Sequence, residues 1–100
     1  MGSDIGTLQF EWDDEKERIN FLKHNIHFET AKLVFQDRDR IEKWDKNHSD
    51  WEDRYQTIGR VDEVLFVVYT ERRDSIRIIS ARVATNEERK IYYDRKKYFD

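Results

Sequence analysis

The stretch VVYTERRDSIRIISARVAT, from Val67 to Thr85, decides how the chain is read. Two runs of β-branched and aromatic residues flank a short charged centre, the pattern of a β-hairpin. The same stretch carries Arg72, Arg73, Arg77 and Arg82. A guanidinium is costly to bury without a partner. Either local carboxylates match these arginines, or some are held ready for an anion from outside the chain.

Working outward, RYQTIGR (54–60) and EVLFVVYT (63–70) read as further strands joined by short polar turns. TNEERKIYYDRKKYF (85–99) opens with Thr85 and Glu88 at capping-box spacing and reads as a terminal helix. Upstream, Leu8, Phe10 and Trp12 alternate with Gln9 and Glu11, a short half-buried strand. The run DDEKERINFLKHN (13–25) starts with capping acids Asp13 and Asp14 and spaces Ile19, Leu22 and Ile26 as an apolar helix face. Asn25 stands where a left-handed helix stop is wanted. HFETAKLVFQD (27–37) forms a second short helix with Ala31, Val34 and Phe35 on one face. Residues 36–53 are a charged connection, with a strand candidate at RIEKW (40–44) and a second capping-box pattern at Ser49 and Glu52. The expected order is β-α-α-β-β-β(-β)-α. That is an α+β domain with helices packed on an antiparallel sheet.

Composition supports one domain over residues 1–100, with residues 1–7 a flexible N-terminus. Only 37% of residues are hydrophobic, but 14% are aromatic, and large rings bury much area from few positions. The charged share is 41%, with acids and bases interspersed and a net charge of −3, which favours a solvated surface over disorder. There is no cysteine, which excludes disulfides and thiolate metal sites. No apolar run approaches the roughly 20 residues of a membrane span, and no signal peptide is visible, so a cytoplasmic protein without membrane contact is expected. Charge is unevenly spread: residues 1–50 carry 8 Lys/Arg against 12 Asp/Glu, while residues 71–100 carry 9 against 6. The C-terminal third therefore offers a local basic patch.

Strand register sorts the candidate site. A two-residue turn at Val61-Asp62 pairs Ile58 with Leu65 and Arg54 with Tyr69. A four-residue turn from Glu71 to Asp74 pairs Thr70 with Ser75 and Tyr69 with Ile76. Alternation then puts Arg54, Gln56, Glu63, Tyr69, Ser80 and Arg82 on a polar face. Tyr55, Thr57, Phe66, Val68, Ile79 and Ala81, with Arg77 near the end, lie under the helices. Arg54 and Arg72 beside Tyr69 suit an oxyanion, because guanidinium grips phosphate oxygens in a planar fork. For Arg82 the alternative is an ion pair with Glu63, and for Arg73 and Arg77 pairing with Asp74 or the terminal helix.

If the oxyanion is the phosphate of RNA, as the family resemblance given below implies, the RNA can be cut without a metal by its own 2′-hydroxyl, given a base, an acid and cations for the developing charge. Arg54 and Arg72 suit the charge role, with Lys23 a third cation if the end of the first helix reaches the sheet rim. Tyr69, His24 or His48 suit proton transfer, and Arg77, Arg82 and His48 suit RNA binding. His24 has the alternative of complementing a helix C-terminus, His48 that of ordering its loop, and His27 that of packing in the inter-helix turn. No metal-ligand spacing and no glycine-rich phosphate loop is present, so no cofactor is expected. Trp12, Trp44 and Trp51 are candidates for stacking on bases, for packing or for partner contact.

FEWDDEKERINFLKHNIHFETAKLVFQD (10–37), HSDWEDRYQTIG (48–59), LFVVYTERRDSIRIISARVAT (65–85) and ERKIYY (88–93) follow one another in this order. In this the chain resembles the BrnT family of bacterial toxins from type II toxin–antitoxin pairs. The resemblance implies a RelE-like fold and a ribonuclease that stops translation. It also implies neutralisation by a BrnA antitoxin carrying a ribbon-helix-helix domain, through which the complex would reach operator DNA, as a toxin–antitoxin hetero-oligomer or with a toxin homodimer. The chain departs from the family pattern at Asn25, where Gly is usual, and in the more heavily charged segment 38–47. A non-catalytic module acting with an antitoxin as co-repressor is the alternative from another class.

Overall fold

Apolar alternation in the second half of the chain builds the middle of a five-stranded sheet. The computed structural model describes residues 8–99, with side chains as far as residue 95. The N-terminal residues 1–7, expected to be flexible, lie outside the described residues. The elements are β1 (Gln9–Glu11), α1 (Asp14–His24), α2 (Phe28–Ala31) running into a 3-10 turn (Lys32–Gln36), β2 (Ile41–Trp44), β3 (Tyr55–Arg60), β4 (Val64–Arg72), β5 (Ser75–Val83) and α3 (Asn86–Phe99). Spatially the sheet runs β1-β5-β4-β3-β2. The α+β order is as expected, and the strand foreseen at RIEKW is β2. One edge differs: β1 lies parallel to β5. A hairpin forces antiparallel pairing, but β1 and β5 are joined through most of the chain, so either direction is open to them.

The hairpin registers are shifted from those expected. Arg60 pairs with Val64 and Ile58 with Phe66, leaving a three-residue loop, Val61 to Glu63, closed by the Val61 N–H donating to Glu63 O at 3.0 Å. A two-residue hairpin turn starting at Val61 would demand positive φ on a β-branched residue. Among the described non-glycine residues, Asn25 alone has positive φ (59°), at the stop of α1. The second turn is tighter than expected, with Arg72 opposite Ser75, because exposed Glu71 and Arg72 extend β4 past the core. An irregularity between Val68 and Tyr69 then carries β5 from Ile78 opposite Tyr69 to Ser80 opposite Val68. A bulge of this kind re-aims one strand.

These shifts exchange the faces. Leu65, Val67, Tyr69, Ile78 and Ala81 are buried on the side that meets Phe28, Ala31, Val34 and Phe35. Tyr69 is a core residue, not a neighbour of Arg54 on a polar face. Phe66 and Val68 are half-buried on the other side, where Val64, Ala84 and Tyr92 form a smaller cluster with Ile41 and Ile58 beneath α3.

α1 is capped as the sequence implies, by the Asp13 carboxylate accepting from the N–H groups of Glu15 (2.9 Å) and Lys16 (3.0 Å). Its expected apolar face is met only in part: Ile26, just past the helix, packs against the core, but Leu22 is 71% exposed and Ile19 is also open. The buried position is Asn20, whose Nδ2 donates to Ala81 O (2.8 Å) and whose Oδ1 accepts from the Ala81 N–H (3.0 Å). α3 begins at the Thr85–Glu88 capping box, with both reciprocal bonds formed (2.9 and 3.1 Å). Tyr92 anchors it, the hydroxyl donating to Asp37 Oδ2 at 2.5 Å. Among the described residues no helix is long and apolar enough to cross a membrane.

Two core substitutions test this packing. A Cβ on Gly59 would sit 2.6 Å from Val34 Cγ1 and 3.2 Å from Arg40 Cβ. Gly59→Ala should therefore lower unfolding free energy by about 1–3 kcal/mol in denaturant titration. The buried Thr57 hydroxyl has no hydrogen-bond partner among the described residues. The near-isosteric Thr57→Val should raise stability by about 1 kcal/mol, because it removes an unsatisfied buried polar group.

Candidate active site

The connection between β2 and β3 is a closed loop. The Asp45 N–H donates to Arg54 O at 2.8 Å, the Ser49 hydroxyl donates to Asp45 O at 2.7 Å, and the Arg54 N–H donates to Ser49 Oγ at 2.9 Å. Ser49 was expected to cap a helix with Glu52. Instead its hydroxyl is used on these local backbone groups, a competition typical of serine, and no helix follows. Glu52 pairs with Arg72 (3.1 Å). The loop is docked on β4 by the Thr70 hydroxyl donating to Asp53 O (2.6 Å), and Trp44 Nε1 donates to Asp53 Oδ1 (3.2 Å).

This loop carries Arg54, His48 and Trp51. Arg54 is half-buried, and its guanidinium enters no hydrogen bond or ion pair among the described residues. Trp51 is 83% exposed. His48 ends a short 3-10 turn, Lys46–His48, and its Nδ1 lies 3.1 Å from both carboxylate oxygens of Asp45. Asp45 is only 5% exposed. Burial pushes its carboxyl up, but hydrogen bonds from His48 and Gln56, the His48 charge and the Asn47 N–H outweigh it and hold the group below its ordinary value. A cleft of about 270 Å³ beside the loop is lined by Glu52, Asp53, Tyr55, Thr70 and Glu71. It is acidic, so of the expected arginine pair only Arg54 is uncompensated.

Tyr69 stands apart from Arg54. Its ring is 3% exposed, edge-on to Phe35 at 5.0 Å and stacked on Tyr55 at 5.6 Å. The hydroxyl donates to Glu42 Oε2 at 3.1 Å, and Arg40 Nε meets the same oxygen at 3.1 Å. Burial first, then the charge and hydrogen bond of Glu42, push the phenol far above its ordinary value. Such a group keeps its proton near neutrality.

Lys23 and His24 lie at the end of α1, exposed, where they complement the helix C-terminus. α1 is anchored through Asn20 at Ala81, six residues along β5 from Ser75, the partner of Arg72. That spacing corresponds to roughly 20 Å of strand, so α1 is anchored well along β5 from the turn that carries Arg72. Arg77 is paired with Glu11 (3.2 Å). Arg82 stacks on Phe66 at 4.1 Å and grips Glu88 with two bonds (2.8 and 2.9 Å), not Glu63 as its register suggested. The capping box of α3 places Glu88 there. His27 bonds Glu17 (2.8 Å) and stacks on Phe21. Asp45 escaped the sequence reading. Its signal was the spacing in Asp45-Lys-Asn-His48, which puts a carboxylate one turn before an imidazole.

A family model described as the ribonuclease toxin BrnT of type II toxin–antitoxin systems matches residues 12–88. The chain belongs to this BrnT family. Membership implies an antitoxin partner. Comparison with curated proteins finds no match. Among solved structures, the ribonuclease toxin BrnT of Brucella abortus superposes with a TM-score of 0.59 at 21% identity, covering 80% of this chain and 100% of that one. This likeness shows that the fold is shared.

The Arg82–Glu88 pair makes a prediction about stability. Burial alone would raise the Glu88 carboxyl, but the bonds from Arg82 and Thr85 prevail and hold it below 4.5. A depressed folded-state value means stabilisation that is complete above that ordinary value and lost as pH falls through the folded one. Arg82→Met keeps the contact with Phe66 and should cost about 1 kcal/mol at neutral pH. Thermal melts of the two proteins should converge as the pH falls through the lowered folded-state value of Glu88.

Proposed function

We propose that this BrnT-family chain is an endoribonuclease toxin that cuts RNA at the 45–54 loop, without a metal. The observation that carries this reading is the loop itself. A closed backbone neck presents the uncompensated cation Arg54, the imidazole of His48 and the open indole of Trp51 together. Arg54 suits the charge that develops on the phosphate, and Trp51 offers a face on which a base can stack. Cleavage by the ribose 2′-hydroxyl needs only such cations and proton carriers, and its products end in 2′,3′-cyclic phosphate. Arg72, held by Glu52 at the same rim, can turn to a phosphate if RNA displaces the carboxylate. Arg77 and Arg82 are paired with Glu11 and Glu88, and this reading gives no part in the chemistry to buried Tyr69 or to Lys23 and His24 at the end of α1.

Family membership supports a BrnA-like antitoxin with a ribbon-helix-helix domain as the partner, with operator DNA reached through it in a hetero-oligomer in the cytoplasm. The acidic lining of the cleft favours a second reading, a non-catalytic module that acts only with the antitoxin. Arg54→Ala separates the two. On synthetic single-stranded RNA and in a translating extract, with excess chelator, it should reduce cleavage about a hundredfold or more. Antitoxin binding and circular dichroism should be unchanged. Wild-type protein that binds its antitoxin but cuts neither substrate would establish the second reading.

A further inference from the structure

We propose that Asp45 and His48 form a proton-transfer dyad, in which His48 is the base for the ribose 2′-hydroxyl and Asp45 is its positioning residue. This rests on the ribonuclease reading above and names the group that moves the proton. The geometry begins with a cost. A carboxylate that is 95% buried at the surface end of a strand is unfavourable unless its oxygens are bonded. Both oxygens of Asp45 lie 3.1 Å from His48 Nδ1. Gln56 and the Asn47 N–H complete the set.

An aspartate on Nδ1 selects the tautomer with the proton there, and leaves Nε2 as an acceptor. The His48 side chain is 67% exposed, whereas its partner is 7% exposed, so the dyad is buried on one side and open on the other. A structural ion pair would need no such asymmetry. The neck that ties Asp45 to Arg54, through the 2.8 Å bond and Ser49, sets the base and the unpaired cation on one rigid frame. In the step, His48 Nε2 takes the 2′-hydroxyl proton as the O2′–P bond forms and the P–O5′ bond breaks. The departing 5′-oxygen takes a proton from water, and the imidazolium returns its own to the hydroxide. The products are a 2′,3′-cyclic phosphate and a 5′-hydroxyl.

The test follows cleavage of a synthetic single-stranded RNA, alone and in a translating extract, by wild type, His48→Ala, His48→Gln and Asp45→Asn. His48→Ala should lose about a hundredfold or more in kcat with KM little changed, and free imidazole should restore part of the rate. His48→Gln, whose amide can still donate to Asp45 but cannot act as a base, should be as slow with its fold intact. That variant carries the test if the alanine protein does not fold. Asp45→Asn should lose about tenfold or more in kcat, without rescue by imidazole. Full activity in His48→Gln, or a loss in His48→Ala that appears in KM and is indifferent to imidazole, would overturn the dyad and leave the ribonuclease standing. Full activity in Asp45→Asn would overturn the positioning role. Wild-type protein that cuts neither substrate would overturn both the ribonuclease reading and the dyad.

Discussion

β1 reaches along β5 only to Arg77, and beyond that point the outer edge of β5 needs another partner. Asn20 supplies it. A single side-chain amide donates to the Ala81 carbonyl and accepts from the Ala81 N–H, as a neighbouring strand would, and donates again to Ile26 O at 3.0 Å. Buried backbone groups left unpaired are costly, and an open sheet edge invites pairing with other chains. One residue thus closes the edge, fixes the height of α1 on β5 and ties down the turn into α2. The rest of the helical layer is hung from this joint: Phe28, Ala31 and Val34 then meet Leu65, Val67 and Ile78. Val34 comes so close to β3 that only glycine fits at position 59.

The opposite edge is treated differently. There β2 and β3 are joined by the 45–54 loop, which is held by its own polar groups and by Thr70. Such a loop can expose Trp51 and His48 and leave Arg54 half-open without losing its shape, because its order does not depend on burying those side chains. Scaffolds of this kind are where binding and catalytic groups are usually found. The core stays intact behind it, with the Tyr69 hydroxyl held by Glu42 and the ring packed against Phe35.

The arginine question posed by the hairpin has a divided answer. Arg72, Arg77 and Arg82 are matched by Glu52, Glu11 and Glu88, each from a different element. None of these partners is adjacent in sequence to its arginine, so inspection of local charge could not identify them. Arg73, exposed in the turn, enters no ion pair among the described residues, and neither does half-buried Arg54, which lies outside the stretch that raised the question.

The sequence by itself determined the element order, the α+β class, both main helix starts, the stop at Asn25 and the buried face of α2. Those features depend on capping groups and short-range periodicity, which act within a few residues. It also singled out Arg54 and His48 as groups of interest. What only the tertiary structure decided was register, face and partner. A one-residue difference in the Val61–Glu63 loop, with the Ile79 bulge, moved Tyr69 into the core, because side chains alternate with period two and any slip exchanges the faces. The buried contact of α1 proved to be an amide meeting a strand edge, which no hydrophobic pattern records. The spacing of Asp45 and His48 stands in the sequence, but only the fold buried the carboxylate and left the imidazole open on the loop that also carries Arg54.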